Sequence, residues 1–448
     1  MSRYTSATDA DREAMLERIG AGSIDELFAD VPEGVRLDRA LDLPDGLPEQ
    51  EVYKRLRELA ARNVSAEDEL TFLGAGMYDH YVPAFIDTLL SRSEFLTPYT
   101  PYQPEVSQGT LQLMFEYQTA ISELTGLPVS NATLYEAPSA VASAGWLAYQ
   151  QTKRPRFVVS RGLHPHSREA LATTGLGYGS SVDEVALKDG ATDLDALREA
   201  LDDDVAAVVL QQPNFLGAVE DLEPLAEAVH ASGALLVVQC DPITLGVLRP
   251  PGDFGADIAV GEGQALGNRL DFGGPSFGFF AAQEKYVRRM PGRIAGETTD
   301  ADGRRGFVLT LQTREQHIRR EKATHNITTA QTLNALAGVA YLSWLGRRGL
   351  VELGELLLAR TAYARHALTA IDGVEALHEQ PVVREFAVTL AADVDAVIEH
   401  CAAQGVNPGH PLRHDYPEHE RGLLVAITEQ RSREDIDRLA AVLGEALR

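Results

Sequence analysis

Short apolar runs alternate with helix-forming stretches over residues 96–325, and this predicts an α/β fold with a mostly parallel sheet. Two further observations complete the architecture. Residues 1–95 read mainly as helices without that alternation, which predicts an N-terminal helical arm. From 326 a long helical stretch precedes two apolar strands flanking a polar helix, which predicts a small C-terminal α+β domain ending at 448.

The chain of 448 residues is long enough to bury a large core. Its formal net charge is −26, from 66 acidic against 40 basic residues. That argues against nucleic acid or an anionic membrane as a partner. The only lysines are Lys54, Lys153, Lys188, Lys285 and Lys322. High acid content with little lysine points to a halophile surface, or simply to an acidic enzyme. Cys240 and Cys401 are the only cysteines, so no disulfide framework is expected and a reducing cytoplasm is the default. Cys240 sits in the apolar run ALLVVQC and is expected to be a buried, inert thiol. The N-terminus MSRYTSATDADREAML lacks the apolar stretch of a signal peptide. No apolar run approaches the ~20 residues that a membrane helix needs. A soluble cytoplasmic protein is expected.

The first helix starts at Thr8, Asp9 or Asp11, with Leu16 and Ile19 on its apolar face. SIDELF starts another at Ser23, where Glu26 stands in capping-box position. LPEQEVYKRLRELAARN is an amphipathic helix ending near Asn63. In LGAGMYDHYVP (73–83), Gly74 and Gly76 flank Ala75 and bend the chain or admit another backbone. That segment reads either as a turn capped by Asp79 or as a loop contributing to a site formed with a neighbour.

FLTPYTPYQPEVSQGTLQ (95–112) joins the arm to the main body. Pro98, Pro101 and Pro104 lack a backbone N–H and hold φ near −65°. They push Thr97, Thr100 and Gln103 towards extended conformations. The stretch is therefore a stiff ribbon that presents Tyr99, Thr100, Tyr102 and Gln103 in fixed directions. A plain Pro-rich linker is the alternative. Ser107 can cap the next helix, which runs to about Leu124.

Strands follow at 156–164, 181–187, 204–213, 234–242, 257–263 and 275–282. The helices HSREALATTG, DLDALREAL and DLEPLAEAVHASG lie between them. Ligands of open α/β sheets bind outside the carboxyl ends of the strands. That places His164, His166, Gln211, Gln212, Asn214, Asp241 and Glu262 on one rim. Beyond 326 the long helix bends at Gly346 and Gly349, then come VVREFAVTL, a polar helix and GLLVAIT.

The run TPYTPYQPEVSQG resembles the signature of the glycine decarboxylase (P-protein) family of the glycine cleavage system. LGAGMYDHYVP upstream and FEYQTAISELTGL downstream extend the match. The resemblance covers the whole chain, which aligns with the half of that enzyme carried by many prokaryotes as a separate alpha chain, subunit 1. It implies the pyridoxal-phosphate-dependent transferase fold type I, the aspartate aminotransferase-like class. Such enzymes need a lysine for the Schiff base. They need a carboxylate at the pyridine nitrogen and a helix N-terminus with hydroxyls for the phosphate.

Asp241 ends the strand ALLVVQCDP, where the family's pyridine aspartate would be; an ordinary strand-end turn is the alternative. The lysine is absent throughout 257–278, and Asn268 and Arg269 occupy its expected region. Arginine stays protonated and is no amine nucleophile. Lys285 and Lys322 lie outside the required topology. At the phosphate end the loop is Tyr135-Glu136-Ala137-Pro138-Ser139. There Glu136 would repel a phosphate and Pro138 lacks an N–H. The chain is expected to have the fold without a working cofactor site of its own.

The resemblance then implies a homologous beta chain (subunit 2) that carries the lysine and the pyridoxal phosphate, with the active site between the two chains. The reaction is decarboxylation of glycine and transfer of the aminomethyl group to the lipoyl arm of the H-protein. In that picture the ribbon acts in trans. Tyr99, Thr100 and Tyr102 are its catalytic candidates, and Gln103, Ser107 and Gln108 its candidates for holding the cofactor or the glycine carboxylate. The alternative is that they pack the interface. DFGGPSFG (271–278) resembles the family's GGP turn beside the cofactor. His164-Pro-His166 reads as a loop or a metal pair. His410, His414 and His419 read as a solvated acidic face or a loop near the lipoyl entrance. Two other functions stand against the subunit reading: a self-sufficient pyridoxal-phosphate enzyme using Lys285 or Lys322, and an inactive scaffold.

Overall fold

The computed structural model describes residues 6–37, 39–96, 99–271 and 274–448. Thr97 and Pro98 of the ribbon, and Phe272 and Gly273 of the Gly-rich turn, lie outside the described residues.

Residues 1–64 form one unit and 65–448 another. In the first, Thr8 caps the helix Asp9–Ile19 through a capping box with Asp11. SIDELF gives only the 3-10 turn Asp25–Phe28; the Glu26 N–H donates to Ser23 Oγ at 3.3 Å, as in half a capping box, while the Glu26 carboxylate accepts from the Gly22 N–H. Glu49–Ala60 is helical as expected. Ile19 remains 64% exposed, so the apolar face expected of the first helix is not buried in this unit.

The second unit is built on a sheet of seven strands: β1 (Val129–Ser130), β2 (Arg156–Ser160), β3 (Ser181–Val185), β4 (Val205–Gln212), β5 (Leu235–Cys240), β6 (Ile258–Glu262) and β7 (Gly278–Ala282). Their spatial order is β1-β7-β6-β5-β4-β2-β3. Only β7 runs antiparallel to its neighbours. Residues Val205–Leu210 of β4 and all of β5 are buried, as strands covered on both faces require. The helices Gln108–Thr125, Ala137–Thr152, Pro165–Leu176 and Leu222–Ser232 supply the cover.

Residues 65–95, expected in the N-terminal arm, pack into this second unit. Leu70–Thr71 pairs in parallel with Val406–Asn407, Phe72 enters the small-domain core and Ile86 the main core. The helix Thr332–Thr369 bends at Gly346 (φ 60°, ψ −179°), while Gly349 continues regular helix. The small domain holds the antiparallel strands Val374–Ala376, Glu385–Leu390, Gly422–Ala426 and His410–Pro411, with the helices Val394–Ala402 and Arg433–Ala446. An unexpected hairpin, Ile294–Thr299 with Arg305–Thr310, packs Phe307 and Leu309 against Leu111 and Met114 of the helix Gln108–Thr125. No helix among the described residues is long and apolar enough to cross a membrane.

Gly217 marks where a large-domain loop meets the small-domain strand. Its φ is +87°, and a Cβ there would stand 2.1 Å from the Glu385 carbonyl oxygen. Gly217→Ala is therefore expected to lower stability by about 3 kcal/mol, from the left-handed conformation and the overpacking together. Urea unfolding measures it; a loss below about 0.5 kcal/mol, the scale of a neutral surface change, would contradict the packing described.

Candidate functional site

The carboxyl ends of β4, β5 and β6 surround a cavity of about 40 Å³ lined by His164, Gln211, Asp241, Glu262, Arg384 and Glu385, among others. Four of the seven residues expected on this rim therefore meet. Gln212 and Asn214 turn away and hydrogen-bond Glu220. His166 is exposed and donates its backbone N–H to His164 Nδ1 at 3.1 Å. His164 Nε2 lies 3.0 Å from the Ala75 carbonyl, and burial lowers the imidazole pKa to about 4. The ring is thus neutral at ordinary pH, with both nitrogens engaged. No group of three His, Cys, Asp or Glu placed to hold a metal occurs among the described residues.

Arg384 fills the middle of this rim. Its Nε lies 2.5 Å from Asp241 Oδ2 as an ion pair. Its guanidinium carbon lies 3.4 Å from the centroid of the Tyr78 ring, and it also contacts His80. His80 Nδ1 in turn lies 2.5 Å from Glu429. The Tyr78 hydroxyl and the Ala75 N–H both donate to Glu385, each at 2.8 Å. Burial raises the Glu385 pKa to about 7, against the pull of those two donors. The Gly-bounded loop 73–83 thus closes on this chain's own small domain. Asp79 is no helix cap there: it accepts from Arg431 at 3.0 Å and Gln430 at 2.8 Å. Arg384 was invisible to sequence reasoning, because one arginine before an apolar strand carries no local signal of a distant partner.

The anion-binding end is occupied by the protein's own carboxylates. Glu136 caps the helix Ala137–Thr152, accepting from the Ser139 N–H at 3.2 Å. The Ser139 hydroxyl donates back to the Glu136 carbonyl at 2.9 Å. Glu262 takes the Ala137 N–H at 3.2 Å, the Gln264 N–H at 3.0 Å and the Ser276 hydroxyl. Burial raises its pKa to about 7. The N–H groups of a helix N-terminus that would cradle a phosphate are therefore already partnered.

No lysine lines the cavity. Lys285 pairs at 3.2 Å with Asp257, which precedes β6 at the opposite end of the sheet from Asp241. Lys322 is exposed in a short 3-10 turn. Asn268 is buried and bonds the Leu266 and Asn334 carbonyls, and Arg269 pairs with Asp87 at 2.7 Å. Cys240 is buried, and its thiol is pushed well above the ordinary range by burial. The residues present do not fit pyridoxal phosphate in this cavity.

The ribbon stands on a different face. Tyr99 is 76% exposed, and its hydroxyl lies 3.0 Å from Thr329 Oγ1. Tyr102 is 41% exposed; its hydroxyl donates to Glu315 at 3.1 Å and accepts from Arg293 at 3.0 Å. Thr100 is half-buried and accepts the Tyr102 N–H at 2.8 Å, while Gln103 is exposed. Pro104–Val106 forms a 3-10 turn into the helix. Ser107 sits at the cap position without a side-chain cap bond, because φ −130° and ψ 23° depart from the extended backbone that aims a cap hydroxyl. Gln108 donates to the Pro104 carbonyl at 2.7 Å and the Phe307 carbonyl at 2.8 Å, and accepts the Phe307 N–H at 2.8 Å. Its amide thus clamps the hairpin to the helix. A cleft of about 840 Å³ runs beside Tyr102, lined by Arg293, His317, Arg320, Asn326 and Thr328 among others.

His410 is half-buried against Asp415 at 3.3 Å, and Tyr416 beside it is buried. The face expected to be solvated is thus partly closed.

The chain is similar to known proteins over its full length. A "Probable glycine dehydrogenase (decarboxylating) subunit 1" of Carboxydothermus hydrogenoformans is 50% identical over 442 residues, 99% of each chain. One of the same description from Geotalea uraniireducens is 49% identical over 444 residues, 99% of this chain and 100% of that one. A crystal structure of glycine decarboxylase (P-protein) of the glycine cleavage system, in inhibitor-bound form, superposes with a TM-score of 0.90 at 45% identity, covering 100% of both chains. A glutamate decarboxylase of Lactobacillus brevis (TM-score 0.70, 14% identity, 94% of this chain and 97% of that one) shares the fold alone. The fold is that of the type I pyridoxal-phosphate-dependent enzymes, as expected. The family described as "Glycine cleavage system P-protein" matches residues 2–443, and the chain belongs to that family.

Proposed function

We propose that the chain is the alpha subunit, subunit 1, of a two-chain glycine dehydrogenase (decarboxylating). With a homologous beta subunit it decarboxylates glycine and passes the aminomethyl group to the lipoyl arm of the H-protein. The observation that carries this reading is the closed rim. Asp241 is paired with Arg384, the helix N-terminus is capped by Glu136 and Glu262, and no lysine lines the cavity. The pyridoxal phosphate therefore belongs on a lysine of the partner, where its ring supplies the electron sink.

This chain's contribution is the ribbon face, offered to the partner's site. Tyr99 and Tyr102 expose their rings on backbone stiffened by Pro101 and Pro104, with the hydroxyls held by Thr329 and by Arg293 and Glu315. Such groups orient a bound amino acid and hold a proton at a fixed phenol oxygen. Thr100, exposed Gln103 and half-buried Ser107 border the same face and suit polar contacts to the cofactor or the glycine carboxylate. Gln108, with its amide engaged by Pro104 and Phe307, suits a clamp that holds the ribbon in place.

Two measurements test the reading. Purified chain mixed with pyridoxal phosphate and treated with borohydride is expected to retain no reduced adduct alone; in the mixture with the beta partner the adduct should form on the partner. An adduct on Lys285 or Lys322 would favour the self-sufficient enzyme instead. In the reconstituted complex, Tyr102→Phe is expected to lower kcat for glycine decarboxylation by about 100-fold or more, the scale of a lost acid–base group. Unchanged decarboxylation in both Tyr99→Phe and Tyr102→Phe would remove the catalytic role from the ribbon and leave it as interface packing.

A further inference from the structure

We infer that Arg293 and Glu315, which lie outside the ribbon, are positioning residues for Tyr102. The inference rests on the in-trans role proposed for that tyrosine. Both side chains are buried, each residue 3% exposed. Arg293 Nη2 donates to the phenol oxygen at 3.0 Å, and the phenol donates to Glu315 Oε2 at 3.1 Å. One lone pair and the only proton of the hydroxyl thus have assigned partners. The guanidinium carbon also lies 5.4 Å from the ring centroid, and His317 meets the ring edge-on at 5.5 Å. Ring plane and hydroxyl direction are therefore set from behind, while Tyr102 itself remains 41% exposed.

The pair is badly arranged for stability. Arg293 Nη2 and Glu315 Oε2 stand 3.7 Å apart, beyond hydrogen-bonding distance. Arg293 Nε and Nη1 find no hydrogen-bond partner among the described residues. A buried arginine that stabilises a fold makes a bidentate pair with its donors satisfied. Idle buried donors of a charged group are destabilising. What the arrangement achieves is orientation of a reactive hydroxyl, and small errors in that orientation are costly to catalysis.

The test uses Arg293→Met, Arg293→Lys and Glu315→Gln in the chain assembled with its pyridoxal-phosphate-bearing partner. Arg293→Met is expected to lower kcat for carbon dioxide release from glycine by about 10-fold or more, with KM for glycine changed less than about threefold. Arg293→Lys should recover part of the loss. Combined with Tyr102→Phe, Arg293→Met should add little, because both act through one hydroxyl. A readout free of turnover is the ¹⁹F resonance of 3-fluorotyrosine placed at position 102 of the full chain. It should be sharp in the parent chain and should move to the free-tyrosine position in Arg293→Met. If Arg293→Met does not fold, Glu315→Gln, which keeps the shape and removes the charge, should reduce kcat in the same way. Unchanged turnover in Tyr102→Phe would overturn the role proposed for that tyrosine, and this inference with it. A strong effect of Tyr102→Phe beside unchanged turnover in Arg293→Met, or losses that multiply in the double variant, would overturn this inference alone.

Discussion

One buried ion pair decides what the rim of the main sheet can do. Asp241 ends a central strand of the large domain, and Arg384 leads into the first long strand of the small domain. Arg384 is buried, and removing the partner of a buried charge typically costs about 3–5 kcal/mol. The pair therefore fastens the small domain over the strand ends and occupies the space where a ligand would lie. The aromatic face of Tyr78 beneath the guanidinium and the His80–Glu429 contact extend the same fastening to the loop 73–83.

The other end of the cavity follows the same logic. A helix N-terminus carries a partial positive charge and unpartnered N–H groups, which draw an anion. Here the carboxyl groups of Glu136 and Glu262 take those N–H groups from within the chain. Asp241 and the helix N-terminus are thus both partnered within the chain, and the cavity beside them measures about 40 Å³. The ribbon face is built in the opposite sense. Its aromatic side chains point outward, its support comes from buried charges, and a cleft of about 840 Å³ lies open beside it.

The strands of the main sheet were legible because parallel strands covered on both faces need continuous apolar sequence, as in VAAVVL and ALLVVQC. The hairpin over 294–310 was not: one of its faces is solvated, and its short alternation is interrupted by charged residues. Residues 65–95 read as part of the arm because they lack the alternation of apolar runs and helices that marks 96–325. Their place in the main body depends on Phe72 and Ile86, single side chains whose burial only the assembled cores reveal. Ser107 was expected to cap with its hydroxyl, but the turn that Pro104 starts holds it off the cap conformation.

The sequence by itself determined the α/β framework, the absence of a lysine where this fold needs one, and the proline spacing that stiffens the ribbon. Each is a property of residue type and local order, which no tertiary contact alters. Only the tertiary structure decided that Arg384 reaches Asp241, that Glu262 caps the helix Ala137–Thr152, and that Arg293 and Glu315 stand behind Tyr102. These are meetings of segments far apart in the chain. They are chosen by packing and by the need to partner buried charge, and neither leaves a periodic mark in the sequence.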